Sequence, residues 1–364
     1  MSTNLMQAST QWATRPADER FESIADLRNA VHGRRMRSRS VDIELDKISA
    51  REENGTIVLN RGFQSVEPTH WSFGQLAGAI KAPASYLRAL PTPLALQCIN
   101  HGLQEKARDT GAMKFMAITE DNRDLNTLQA VTSTTYGRIW DADVVDCATR
   151  IVERSGNKFH NPLAYDMATG KPKPSGLYAS DRDVFIFMID GGSLLEAGPR
   201  AQFHRGFFMW NSEVGSRSFG LTTFLFNVVC GNHIVWGAHD IRELRIRHTQ
   251  NGPARFDSEA TPALLSYVNS SSTELDTIKR AQEYLIPGTP DKNHAFIVDW
   301  LLTRKFTRSE ARSAVETALK EEQQCVTLWD VVQGLTAYAR GMDYVDARVD
   351  LETRAGALLD IVKV

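Results

Sequence analysis

The chain has 364 residues, 42% of them hydrophobic and 24% charged, a globular composition with enough apolar side chains for a sizeable core. No apolar run approaches the roughly 18 residues that cross a bilayer, and the opening MSTNLMQASTQ lacks the basic-then-apolar pattern of a signal peptide, so a cytoplasmic protein with no membrane partner is expected. Cys98, Cys147, Cys230 and Cys325 are scattered, with no C-x-x-C and no histidine at ligand spacing, which argues against a zinc site and a disulfide framework and leaves reduced, apolar fillers.

The net charge of -2 is unevenly spread. Between Arg200 and Arg255 there are seven arginines (200, 205, 217, 242, 245, 247 and 255) against three acids, Glu213, Asp240 and Glu243. Arg34, Arg35, Arg37 and Arg39 form a second basic run, so the rest of the chain is acidic. Such a distribution offers an anion a local surface without making the whole protein adhere to polyanions.

Taken in order, residues 1 to 33 are polar apart from Phe21, Ile24, Leu27 and Val31, which recur at helical spacing. RRMRSRS (34 to 40) can be a basic arm that touches phosphate, but a charge run is more often a solvated loop, and 1 to 40 is expected to be an N-terminal arm. Val41 to Leu45 and Thr56 to Leu59 read as strands flanking a turn that contains Asn54-Gly55, a strong hairpin signal. From Thr69 the apolar spacing turns helical, cut into short helices by Pro83, Pro91 and Pro93. Met113 to Thr119 and Leu128 to Tyr136 predict a second strand pair around the turn DNRD. A helix then starts at Asp141, which can cap it, and carries a stripe of Val144, Val145, Ala148, Ile151 and Val152 up to Gly156. Residues 157 to 178 hold three prolines and predict a loop, and VFIFMI (184 to 189) a buried strand closed by Asp190-Gly191-Gly192.

The stretch from Arg205 to Asn251 interleaves strand-forming apolar residues with glycines, amides and arginines. Phe207 to Trp210, Phe219 to Cys230, Ile234 to Trp236 and Glu243 to His248 read as strands, with NSEVGSRS as a polar turn. In RELRIRHT, alternation points Leu244 and Ile246 one way and Glu243, Arg245 and Arg247 the other. Beyond Pro253 the pattern is helical: 258 to 285, 293 to 302, 308 to 324, 328 to 340 and 346 to 362, with capping boxes at Thr307/Glu310 and Thr327/Asp330. Together these signals predict an α+β fold, with a mainly antiparallel sheet and flanking helices over 41 to 256 and a helical C-terminal region over 257 to 364.

No phosphate-loop, dinucleotide-binding, G-x-S-x-G or H-E-x-x-H motif occurs, so no catalytic residue is named and no cofactor is implied. The carboxylate pairs Asp141/Asp143 and Asp181/Asp183 are of the kind that can hold magnesium for a nuclease, but capping and strand-entry turns explain them as well. His204, His233, His239 and His248 cluster without ligand spacing, and no metal site is assigned. Arginines on one sheet face beside Phe207, Phe208 and Trp210 could neutralise phosphates while rings stack on unpaired bases. The expected nucleic-acid-binding residues are thus Arg205, Arg217, Arg242, Arg245, Arg247, His248 and Trp210. The plainer alternative makes the aromatics core and pairs the arginines with acids.

Three pieces carry a resemblance: AVTSTTYGRIWDADVVDCATRI, then MWNSEVGSRSFGLTTFLFNVVCGNHIVWG with RELRIRHTQN, then TLWDVVQGLTAYARGMDYVDARVDLETRAGALL. In that order they resemble the phage- and plasmid-encoded family known as domain of unknown function nine-three-two, over roughly residues 65 to 360. The resemblance implies a mobile-element protein in a bacterial cell and supplies no catalytic residue. The order of elements is also loosely similar to phage single-strand annealing proteins, an architectural analogy. The functional expectation is a DNA-metabolism protein that binds single-stranded DNA and anneals strands as a homo-oligomer. The alternatives are a factor that blocks a host defence or replication protein, and a metal-dependent nuclease.

Overall fold

A computed structural model describes residues 16–61, 64–119, 126–161, 163–166, 171–174, 176–192, 195–196, 202–227, 233–234, 244–269, 273–321, 323–340, 342 and 345–363. The order opens with helix α1 (Ile24–Arg37), β1 (Ser38–Glu44), β2 (Ser49–Glu53), β3 (Thr56–Arg61) and β4 (Gln64–Pro68). Helices α2 (His70–Ala79), α3 (Ala84–Ala89) and α4 (Thr92–Thr110) come next, then β5 (Ala112–Ile118) and β6 (Asn126–Thr132). These six strands form one sheet, ordered β1-β5-β6-β4-β3-β2, in which β4 and β6 are parallel and every other pair antiparallel. Leu45, Leu59, Leu76, Leu87, Ile99, Leu103 and Phe115 are among the side chains buried between this sheet and α2 to α4.

The Asn54-Gly55 turn joins β2 to β3 with both residues at positive φ (53° and 80°), the geometry that this dipeptide favours in a two-residue hairpin. Its first strand is Ser49–Glu53, however, not the expected Val41 to Leu45, which belongs to β1 and pairs with β5 instead. The basic run 34 to 40 is likewise not a loop. It is the last turn of α1 followed by the start of β1, because Leu27 and Val31 anchor α1 in the core; Arg35, Arg37 and Arg39 are exposed, whereas Arg34 turns in to Ser180 O.

The second sheet is antiparallel throughout its described pairs. Helix α5 (Asp141–Arg154) precedes β7 (Phe159–His160), β8 (Leu163–Asp166), β9 (Lys171–Pro174), β10 (Leu177–Ala179), β11 (Val184–Asp190), β12 (Leu195–Glu196), β13 (Gln202–Asn211), β14 (Phe219–Asn227), β15 (His233–Ile234) and β16 (Leu244–Ile246). The central order is β10-β11-β13-β14-β15, with β7 on β11, β12 on β13 and β16 on β14, while β8 and β9 pair only with each other. The stretch 157 to 178, expected to be a loop, therefore contains four short strands. One face of this sheet packs Ile186, Met188, Phe207, Met209, Phe219 and Leu221 against α1, α5 and α6 (Gly252–Asn269). The other face gathers Tyr178, Phe185, Phe187, Phe208 and Phe224. Burial on both faces accounts for the continuous apolar run of β11, where a one-sided sheet would show alternation.

Helices α7 (Thr273–Glu283), α8 (Ala295–Leu302), α9 (Arg308–Glu321), α10 (Leu328–Arg340) and α11 (Val345–Ala357) enclose a core of Ile278, Leu301, Val315, Leu328, Val332 and Leu351. Both capping boxes form: Glu310 N–H donates to Thr307 Oγ1 (3.2 Å) and Thr307 N–H to Glu310 Oε2 (2.7 Å), and Thr327 and Asp330 repeat the exchange at 3.1 and 2.9 Å. Phe203 and Leu225, near the ends of β13 and β14, join this helical core to the sheet. The architecture is α+β with mainly antiparallel sheets and a helical C-terminal region. No helix among the described residues is long and apolar enough to cross a membrane.

Candidate functional site

The turn from Asn211 to Arg217, between β13 and β14, is where the two sheets meet. Read from sequence it is a polar turn; in the fold Asn211, Ser212, Glu213 and Val214 are all buried. It closes on itself through Gly215 N–H to Ser212 O (3.1 Å) and Ser216 N–H to Ser212 Oγ (2.9 Å), with Gly215 at φ +85° in the left-handed region that favours glycine. Its other polar groups bond outward. Asn211 Nδ2 donates to Ile139 O (2.9 Å) and Asp141 Oδ1 (2.7 Å), and Glu213 Oε2 accepts the Asp141 N–H (3.1 Å) at the first turn of α5. Val214 O accepts from Trp71 Nε1 (3.1 Å) and Gln75 Nε2 (2.7 Å), both on α2, and Gln75 Oε1 in turn accepts the Val131 N–H of β6 (2.9 Å).

Burial sets the electrostatics of this hub. Asp141 and Glu213 are both enclosed; burial pushes the Asp141 carboxyl well above its ordinary 3.8 and the Glu213 charge adds to that, while burial also raises Glu213 above 4.5 against the pull of Arg34. Arg34 donates to Ser180 O, and Arg138 donates to Glu213 O. Arg138 is 7% exposed, and burial lowers the pKa of its guanidinium from 12.5. Among the described residues Asp141 Oδ2 and Arg138 Nε and Nη2 have no hydrogen-bond partner. His248 stacks on Tyr136 at 5.0 Å, accepts the Ile139 N–H at Nδ1 (3.2 Å), and is held neutral by burial with a pKa of about 4. Gly137 makes this docking possible, since a Cβ there would lie 1.9 Å from Thr249 O.

Arginines rim the hub, three of them beside indoles. Arg35 lies 3.8 Å from the Trp140 ring centroid, Arg182 5.8 Å from Trp71 and Arg245 5.9 Å from Trp210. All three arginines are exposed and all three tryptophans half-buried. Each tryptophan is tied to the turn: Trp71 by its hydrogen bond to Val214, Trp210 as the residue before Asn211, and Trp140 as the residue before Asp141. Arg217, also exposed, ends the turn with its Nε 4.0 Å from Asp183 Oδ2.

The residues expected to bind nucleic acid are thus divided. Trp210 and Arg245 come together on one sheet face, facing each other across Gly220, where a Cβ would meet the indole at 1.9 Å. Arg217 and His248 reach the hub, Arg217 on the surface and His248 half-buried beneath it. Arg247 is exposed just beyond the end of β16. Arg205 is different: it is 7% exposed, 5.9 Å from the Tyr267 ring, and belongs to the interior. Arg242 and His239 lie outside the described residues. Phe207 and Phe208 cannot stack on bases, because they are 0% and 2% exposed in the two opposite cores of their sheet.

Neither carboxylate pair converges. Asp141 points inward and Asp143 is exposed; Asp181 is exposed and Asp183 is bonded to Ser180 Oγ at 2.7 Å. Among the described residues no group of three or more His, Cys, Asp or Glu side chains is placed to hold a metal ion. Arg182, Trp71, Trp140 and Gln75 had no local signature in the sequence, since the bonds of Trp71 and Gln75 to Val214 bridge 143 and 139 residues, and Arg35 was visible only as part of the basic run 34 to 40.

No curated protein and no solved structure matches the chain. Residues 129–350, from β6 to α11, match the family model described as Domain of unknown function (DUF932). That span includes the Asn211 to Arg217 turn, Arg138 and α5, while Trp71, Gln75 and Arg35 precede it. The chain therefore belongs to this family of domains of unknown function.

Proposed function

We propose that the protein is a DNA-metabolism factor of a phage or plasmid that binds single-stranded DNA on the arginine–tryptophan rim around the Asn211 to Arg217 turn. The observation that carries this reading is the set of three pairs, Arg35/Trp140, Arg182/Trp71 and Arg245/Trp210, fixed around one turn. A guanidinium lying over an indole has its planar fork pre-oriented for a phosphate, and a half-exposed indole edge can take a base. Because the rim residues come from separate elements packed around a turn bonded to both sheets, the fold sets their spacing, which suits a backbone-tracking surface more than a base-reading one. Strand annealing would follow if two bound strands were presented together.

Fluorescence anisotropy of a labelled, unstructured oligonucleotide against salt tests the proposal. Each phosphate neutralised on a single strand releases about 0.7 counterion, so log affinity should fall linearly with log salt, with a slope reflecting several contacts. Capture of an acidic protein from host lysate that survives nuclease treatment, without oligonucleotide binding, would favour a host-protein inhibitor instead.

A further inference from the structure

Arg138 is buried in the hub with one edge of its guanidinium unused. Nη1 donates to the Glu213 carbonyl, whereas Nε and Nη2 are enclosed and have no hydrogen-bond partner among the described residues. The N–H groups on that edge point the same way, the planar fork that matches two oxygens of one carboxylate or phosphate. No carboxylate of the hub fills it. Glu213 Oε2 accepts from the Asp141 N–H and Asp141 Oδ1 from Asn211, while Asp141 Oδ2 is enclosed without a partner and does not reach the fork. A guanidinium keeps its charge when buried, so the fork is an uncompensated cation as well as a set of unpaired donors.

Two half-buried rings lie over this guanidinium, Tyr136 at 5.2 Å and Trp140 at 5.4 Å. Exposed Arg35 lies 3.8 Å from the same Trp140 ring, so one indole joins a surface guanidinium to the buried one. Arg34 adds a positive charge beside Asp141 and Glu213. Burial raises the pKa of both acids, so they oppose an arriving anion less than two fully ionised carboxylates would.

We propose that the Arg138 fork takes the terminal phosphate of a DNA strand, which passes Arg35 and Trp140 to reach it. The inference rests on the reading of the rim as a single-strand surface and adds to it a preference for strand ends. A phosphate within a strand carries a sugar on either side and cannot bring its oxygens to atoms this deeply enclosed. A terminal phosphate hangs from a single ester bond, offers three acceptor oxygens and carries about two negative charges at neutral pH, which suits a buried fork behind a surface arginine.

Anisotropy with the full chain tests this, using one internally labelled oligonucleotide with a 5′-phosphate, a 3′-phosphate or hydroxyls at both ends. At least one phosphorylated form should bind about tenfold or more tighter than the hydroxyl form, the effect expected of charged hydrogen bonds. Arg138→Lys, which keeps the charge and removes the fork, should bring that ratio close to one. Should the variant not fold, the wild type decides: its Arg138 Nε–H resonance in a proton–nitrogen spectrum should shift with the phosphorylated strand and not with the hydroxyl form. An unmoved resonance, or a preference that survives in folded Arg138→Lys, would overturn the proposal. Equal affinity for all forms would overturn it and leave the rim reading standing, whereas no binding of any form would remove both.

Discussion

Glu213 caps α5 from 72 residues away: its Oε2 accepts the backbone N–H of Asp141 at 3.1 Å, at the positive end of the helix dipole. Both residues are buried, so the contact does two opposed things. It satisfies an orphan helix donor and it places two carboxyls in one enclosed space. Replacing Glu213 by Gln retains the acceptor and removes a buried charge, so stability in urea should change by less than about 1 kcal/mol. Glu213→Ala leaves the donor buried and unpaired and should cost about 1–3 kcal/mol. Equal stability of the two variants would show that the cap contributes nothing.

The pair also has a pH signature. The folded-state pKa of each acid is raised, so the stability it contributes is complete below the ordinary values of 3.8 and 4.5 and is lost as pH rises through the raised values. Asp141→Asn keeps the acceptor for Asn211 and removes that loss. At pH 8 the variant should be more stable than the wild type in urea, and the difference should shrink toward pH 4. A constant difference across the range would exclude the titration as its source.

His248 acts with the opposite sign. Burial depresses its pKa from 6.5 to about 4, so the stability it contributes is present above 6.5 and is lost as pH falls toward 4. Its ring resonances in a proton–nitrogen NMR titration should stay those of a neutral imidazole from pH 8 down to about 5. A midpoint near 6.5 would mean that the ring is not enclosed between Tyr136 and the Ile139 N–H.

The Trp210 indole rests where a side chain on residue 220 would be. Gly220→Ala should displace it, costing about 1–3 kcal/mol by overpacking, and should separate Trp210 from Arg245. A shift in tryptophan emission accompanied by lower thermal stability checks this; an unchanged spectrum would contradict the packing.

Elements whose cause is local were legible in the sequence. The Asn54-Gly55 turn, the α5 stripe ended by Gly156 at φ +69°, and both capping boxes depend on residues within a few positions of one another. Pairings were not legible. Ser49–Glu53 reads S-A-R-E-E, a poor strand sequence, and it is a strand because it pairs along its length with β3 across the hairpin, while Asn100, 50 residues away, takes the outer backbone of Ala50. The basic run before Val41 looked solvated because the two apolar anchors of α1, Leu27 and Val31, precede it. The hub escaped notice for the same reason. A turn written N-S-E-V-G looks polar and exposed, and its burial becomes visible only when α5 and α2 bond to it from 72 to 143 residues away. Phe207 and Phe208 misled in the other direction, since consecutive rings on a strand buried on both faces belong to two cores and leave none for a ligand.

The most direct test of the rim is the salt dependence of single-strand binding in a double variant. Arg182 and Arg217 each keep a side chain 45% exposed, so Arg182→Ala with Arg217→Ala should leave the fold intact. Binding of an unstructured oligonucleotide should weaken uniformly across sequences, and the log–log salt slope should fall by about 1 to 1.5 units, near 0.7 for each lost phosphate contact. A folded double variant that binds with the wild-type affinity and slope would contradict the assignment of this surface to nucleic acid.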